Sequence, residues 1–151
     1  MTEKGAVIPI LLGVTLGVML GVGFYTFGYA KGASYMTDDP KACANCHVMN
    51  EQYEGWMKSS HRHVAVCNDC HTPPGFIPKY FTKAINGFNH SLAFTTGRFP
   101  DMIQITGRNH AVTEASCVKC HEDITSGING VRHEGAKVAC VQCHLSVGHA
   151  H

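Results

Sequence analysis

The chain has 151 residues, a formal net charge of +1 and only 15% charged residues. That balance excludes the basic footprint of a nucleic-acid binder and the charge run of an acidic tail. Eight cysteines and eleven histidines in a chain of this size leave three chemistries open: disulfides, zinc sites or covalently attached cofactors.

The first element is apolar. From Gly5 to Ala30 no side chain is charged, and the run exceeds the roughly 20 residues a helix needs to cross about 30 Å of hydrocarbon. Lys4 and Lys31 bracket it, and Phe24, Tyr25, Phe27 and Tyr29 gather at its far end, as an interfacial aromatic belt does. A cleaved signal peptide would have an apolar core of about 7–15 residues and a small-residue cleavage site. The nearest candidate here, Ala30-Lys31-Gly32, has a lysine in the middle. The expectation is a retained anchor over residues 1–33, with one transmembrane helix over about 6–30 and a second domain over 34–151. Pro9 falls in the first turns and need not break the span. Gly13, Gly17 and Gly21 recur every fourth residue, a bare face that permits self-association, although glycine is also common in membrane helices generally.

Beyond the anchor the cysteines form four pairs, each followed by histidine: Cys43-Cys46-His47, Cys67-Cys70-His71, Cys117-Cys120-His121 and Cys140-Cys143-His144. C-x-x-C-H is the attachment signature of c-type haem. Two thiols at this spacing form thioethers to the vinyl groups of one porphyrin, and the adjacent imidazole sits beneath the iron. Zinc ribbons and disulfide scaffolds need no histidine after every pair. At this histidine content four such coincidences would arise roughly 3 times in 100,000. Four covalently bound haem c groups are therefore expected.

Thioether attachment takes place outside the bacterial cytoplasm, which predicts a single-pass protein of the inner membrane, N-terminus in, haem domain in the periplasm. Lys4 then lies on the cytoplasmic side. With roughly 30 residues per porphyrin, the domain is too small to bury four macrocycles behind an ordinary core. The expected fold is a mainly α and irregular multihaem cytochrome c with little or no β-sheet, in which the haems pack together. Few long helices are expected. Gly, Pro and Asn in 72–78, 86–89, 97–100 and 127–130 predict a loop-rich wrapper.

Seven histidines lie outside the motifs: His61, His63, His90, His110, His133, His149 and His151. Bis-histidine ligation would use up to four of them. His149, five residues past His144, must stay near the last two haems, and His61, six residues before Cys67, can reach a neighbouring haem. His63 would point elsewhere, His151 is expected in solvent, and His110 and His133 receive no role. Met49 lies two residues past His47 and offers a thioether ligand that would raise the haem potential. Spacing alone favours His47.

An N-terminal anchor, four CxxCH motifs within about 110 residues and Met49 behind the first of them resemble the NapC/NirT/NrfH family of membrane quinol dehydrogenases. The short length, Pro73 after the second motif and the stretch Lys79–Gly87 look most like the NrfH type, the small subunit of cytochrome c nitrite reductase. The resemblance implies Met49, not His47, as proximal ligand of the first haem. It implies His71 at the second haem, met on the other side by a lysine of the catalytic subunit. Haems three and four would be bis-histidine through His121 and His144, with His149 serving the third and His61 the fourth. A quinol site would lie beside the first haem, with Lys83 and His90 in it. These two are seven residues apart and share a helix face. The relatives carry aspartate at His90, so its imidazole could accept a proton or close the first iron's sixth position.

The function so implied is oxidation of menaquinol and delivery of its electrons to a periplasmic multihaem nitrite reductase that makes ammonia. Two alternatives stand beside it: a NapC-like quinol dehydrogenase for another periplasmic reductase, and an anchored relay with no quinol chemistry. A haem-based sensor lacks an output module.

Overall fold

The structure is a computed structural model that describes residues 3–129 and 139–149. His133 and His151 lie outside the described residues. The chain divides into two units, Met1–Ser34 and Tyr35–His151.

The first unit is helix α1, Glu3–Tyr29, with Pro9 inside it. Ala6–Tyr29 is long and apolar enough to cross a membrane by length and composition, and none of it is buried within the protein. Lys31, at φ 49, enters the left-handed region directly after it, which ends the helix where the charge begins. At Gly32 a Cβ would meet the ring of Phe27, so glycine lets that ring lie against the backbone of the turn.

The second unit is helical, with no strand among the described residues. Its helices are α2 (Pro40–Cys43), α3 (Asn50–Lys58), α4 (Cys67–His71), α5 (Phe76–Thr96), α6 (Gly107–Cys120), α7 (Glu122–Asn129) and α8 (Cys140–Cys143), with a 3-10 turn at His47–Met49. Local chemistry starts several of them. The Asp39 carboxylate accepts from the Lys41 N–H at 2.9 Å with Pro40 in the first turn, and Thr106 caps α6 through the Asn109 N–H. Gly97 stops α5 at φ 64, with the Arg98 N–H donating back to the Ala93 carbonyl at 3.0 Å.

One expectation fails at α5. The stretch 86–89 was expected to be loop, yet it lies inside a helix of 21 residues. Gly87 is present for close packing instead: a Cβ there would lie 3.3 Å from the Tyr35 ring. Asn86 is also committed, its amide oxygen accepting from Arg108 at 2.8 Å and Asn109 at 3.2 Å, which ties α5 to α6. The loop expected at 76–78 is likewise the first turn of α5, where Pro78 is tolerated.

No hydrophobic side chain is buried among the described residues of either unit, and the buried side chains are Thr72, Thr82, Lys83 and Ser116. Polar clamps hold the helices of the second unit. Asp38 accepts from Asn68 of α4 at 2.6 Å and from Lys83 of α5 at 3.0 Å, and pairs with Lys79 as well. Glu114 of α6 accepts from the N–H groups of Cys140 and Val141 at 2.7 and 3.1 Å, fixing the start of α8. Trp56 donates to the Ala65 carbonyl at 3.0 Å and fastens α3 to the segment entering α4.

Two outcomes follow from the clamps. Hydrogen bonds from Lys79 and then Lys83 hold the Asp38 carboxyl at about 2, below its ordinary 3.8. A depressed carboxylate contributes stability that is complete above its unfolded pKa and lost as pH falls through the folded one. Asp38→Asn should therefore lower the urea midpoint at neutral pH, and the gap from the parent should close as pH falls from about 4 to about 2. The carboxylate is half exposed, so the gap is small. For Glu114→Ala, amide hydrogen exchange at Cys140 and Val141 should quicken about tenfold, the equivalent of ~1.4 kcal/mol.

Candidate functional site

Three of the four motifs sit on helical turns. Cys67–His71 is α4 itself, Cys117 and Cys120 end α6 with His121 capping it, and Cys140–Cys143 is α8 with His144 as its cap. On a helix, positions i, i+3 and i+4 share a face, so each turn presents two thiols and an imidazole together. The first motif is built differently. Cys43 ends α2, and Cys46 is extended at φ -90, ψ 118 before the 3-10 turn that carries His47 and Met49. The helical register between cysteines and histidine is therefore broken there. His47 is exposed, whereas Met49 is half-buried at the start of α3.

None of the eight cysteines is in a disulfide, and they approach one another across motifs in a continuous series. The Cys67 thiol hydrogen-bonds Cys43, which lowers Cys43 to about 7 and raises Cys67. Cys70 lies in the field of Cys120, as α4 packs against α6. Cys117 and Cys140 are in hydrogen-bonding contact. Neighbouring attachment points thus run from the first motif to the fourth in chain order.

The histidine rings also meet in pairs. His61 faces His121 with ring centres 6.1 Å apart and planes at 74°. His149 faces His71 at 5.8 Å with planes at 21°. Burial, and then the neighbouring His149, lower the His71 pKa, favouring the neutral ring that binds metals. The resemblance gives His149 to the third haem and His61 to the fourth; the ring contacts place His149 beside the second motif and His61 beside the third. Packing of α4 on α6 brings the second and third motifs together, so the turn after α3 delivers His61 to the end of α6. His63 and His144 are exposed, and His110 is half-buried on α6; against partial burial, the N–H groups of Cys140 and Val141 lower the Glu114 pKa.

Lys83 and His90 both face the segment leading into the first motif. Lys83 is buried, with its ammonium donating to the Thr37 carbonyl at 2.7 Å and to Asp38. It also lies 5.3 Å from the centre of the Tyr80 ring, a favourable position for a cation. The Nδ1 of His90 lies 3.1 Å from the Tyr35 hydroxyl. Much of the imidazole is exposed, yet partial burial still lowers its pKa. Burial, followed by the Cys46 and Cys43 sulfurs, raises Tyr35, and Lys83 lies in the field of Cys43. Sequence reasoning missed Tyr35 and Asp38. Their only signal was position, between the anchor and the first motif.

The residues fit a covalently held porphyrin. Paired thiols, imidazoles facing one another about 6 Å apart and no buried apolar side chain among the described residues are what a protein built around macrocycles requires. A model of the NapC/NirT cytochrome c family, N-terminal region, matches residues 4–151. The cytochrome c-type protein NrfH of Wolinella succinogenes is 41% identical over 114 residues, covering 75% of this chain and 64% of the relative's length. The crystal structure of a cytochrome c nitrite reductase NrfHA complex bound to the HQNO inhibitor contains a similar chain. The TM-score is 0.64 and the identity 31%, over 91% of this chain and 88% of that one. Covalently bound haem c and a membrane anchor accompany this likeness. By motif, fold and match along nearly its whole length, the chain belongs to the NapC/NirT cytochrome c family.

Proposed function

We propose that this chain is the membrane-anchored, quinol-oxidising subunit of a cytochrome c nitrite reductase complex, passing electrons through four haems to the catalytic subunit that reduces nitrite to ammonia. The observation that carries the reading is the polar cluster beside the first motif, where Lys83 and His90 meet Tyr35–Asp38 next to Cys43. The similar chain in the NrfHA complex supports the partner, and the HQNO bound in that complex supports a quinol as donor.

Oxidising a quinol releases two electrons and two protons, so the site must hold the headgroup and take protons away. Lys83 has three N–H bonds, two of which are used on Thr37 and Asp38. The third is left for a quinol oxygen. When the His90 proton sits on Nδ1, that nitrogen donates to the Tyr35 oxygen and the Nε2 lone pair is free to receive a quinol proton. Haem supplies the one-electron acceptor when bound, and the first haem is the entry point. Met49, half-buried where His47 is exposed, is the ligand we assign to it. His71, His121 and His144 would hold the second, third and fourth haems, and His61, whose ring lies 6.1 Å from that of His121, would supply a further imidazole beside the third.

In this reading α1 spans the inner membrane with its N-terminus in the cytoplasm, and residues 34–151 fold in the periplasm. Menaquinol is the donor. Gly13, Gly17 and Gly21, beside which a Cβ would meet nothing, leave a helix face open to a second copy or another span.

The mature full-length protein should carry the mass of four haem groups and retain residues 5–30, and it should purify with a multihaem nitrite reductase in mild detergent. Lys83→Met should reduce the rate of haem reduction by a menaquinol analogue at least about tenfold with all haems retained, the loss of roughly one charge-assisted hydrogen bond. If HQNO alters neither that rate nor the spectrum of the first haem, the chain is a relay and the quinol assignment is wrong. Met49→Ala should change the spin state of the first haem, whereas His47→Ala should leave it unaltered. The reverse result would give the iron to His47.

A further inference from the structure

Glu114 stands on α6 one turn before Cys117, and positions three apart on a helix share a face. Its two carboxylate oxygens accept from the N–H groups of Cys140 and Val141 at 2.7 and 3.1 Å. The Cys117 and Cys140 side chains are themselves in hydrogen-bonding contact. One carboxylate therefore lies at the junction of the third and fourth attachment points, and the two N–H bonds favour its ionised form. Among the described residues the ion pairs are those of Asp38 with Lys79 and Lys83, so Glu114 keeps a net negative charge where Asp38 is neutralised. His110, one turn earlier on α6, also lies in its field. Both sulfurs feel that charge. After burial, Glu114 is what raises the Cys117 and Cys140 thiols, because it disfavours a second negative charge beside it. At Cys43, by contrast, the Lys83 ammonium acts in the lowering direction.

Reducing a ferric haem adds one electron to the macrocycle, and a fixed negative charge nearby opposes that step as it opposes thiolate formation. We propose that Glu114 is a redox-tuning residue, whose carboxylate lowers the potentials of the haems held at the third and fourth motifs. This role is separate from the clamp that fixes α8, and it rests on those motifs carrying haem, as the function above requires. At an effective dielectric of about 20, a unit charge roughly 12 Å away alters a one-electron equilibrium about tenfold. Solvent and salt reduce that figure at a half-buried carboxylate. The sign of the effect bears on electron flow. Haems that are harder to reduce pass electrons on without storing them. The first haem, with Met49 proposed as its ligand and Lys83 beside its attachment point, is then the one that fills.

The test is a potentiometric titration of the full-length protein in detergent, followed optically and by low-temperature electron paramagnetic resonance. Glu114→Gln removes the charge and keeps an acceptor oxygen. It should raise the midpoints of one or two of the four haems, increasing their reduced-to-oxidised ratio at a fixed poise by up to about tenfold, and by less at high salt. Glu114→Asp keeps the charge with a shorter reach. Its midpoints should stay at the parent's even if amide exchange at Cys140 and Val141 quickens. Four unchanged midpoints in Glu114→Gln, or an equal rise in all four, overturns the assignment. So does a Glu114→Asp protein whose midpoints move as far as those of Glu114→Gln, since the role is then structural. Each of these results leaves the four-haem reading standing. Peptides holding Cys117 and Cys120, or Cys140 and Cys143, without the mass of a haem overturn that reading and this inference together.

Discussion

The thioether bond between a cysteine pair and a porphyrin is the interaction on which the rest of this molecule depends. A chain with no buried hydrophobic side chain among its described residues cannot draw stability from an apolar interior of its own. Burial at about 25 cal/mol per Å² is the dominant favourable contribution in ordinary domains. Here the macrocycles must supply the apolar surface, and covalent attachment keeps them in place. Each pair of thioethers also restricts the unfolded chain, as other crosslinks do. The polar clamps are then arranged around the attachment points. Glu114 fixes α8, which is the fourth motif, and Asp38 fixes α4, which is the second, to the helix carrying Lys83. Such hydrogen bonds contribute on the order of 1 kcal/mol each or less where solvent screens them, enough to orient a motif but far too little to replace a core.

The same constraint explains what could be read from the sequence. CxxCH is a local signal whose spacing matches one helical turn, so the haem sites, the helical class and the anchor were legible residue by residue. That Lys83 and His90 lie on one helix was also legible, because their seven-residue separation suits one helix face. The ring partners were not. Which histidine faces which depends on α4 packing against α6, a contact between residues some fifty positions apart that no periodicity encodes. Asn86 and Gly87 misled for a related reason. Both residue types commonly mark turns, but here Gly87 admits the Tyr35 ring and Asn86 receives α6. Their tertiary roles overrode their local preferences.

Asp38 joins the two halves of the proposed chemistry. Its carboxylate holds the Lys83 ammonium that would meet a quinol oxygen, and through Asn68 it also steadies the second motif. The proposed quinol site and the second motif therefore share one anchor residue. A lysine as buried as Lys83 keeps its charge only if it is compensated, and Asp38 provides that compensation from a half-exposed position. The carboxylate stays solvated while the ammonium faces inward. This division leaves a positive group aimed at the site without the full desolvation penalty of a buried pair.

The first motif stands apart from the other three in its backbone, and the proposed function gives that difference a reason. An entry haem must accept electrons one at a time from a two-electron donor while the protons leave in another direction. A helical CxxCH turn would place imidazole beneath the iron, as in the other three motifs. The break at Cys46 removes that register, and Met49, the ligand proposed for this haem, would raise its potential relative to two imidazoles. A higher potential at the point of entry makes the first electron easier to take from a quinol, and close packing of the motifs then carries it away before it can return. The irregular backbone between Cys43 and Met49, which looks like a defect beside three regular helical turns, is on this view the feature that separates the collector of electrons from their conductors.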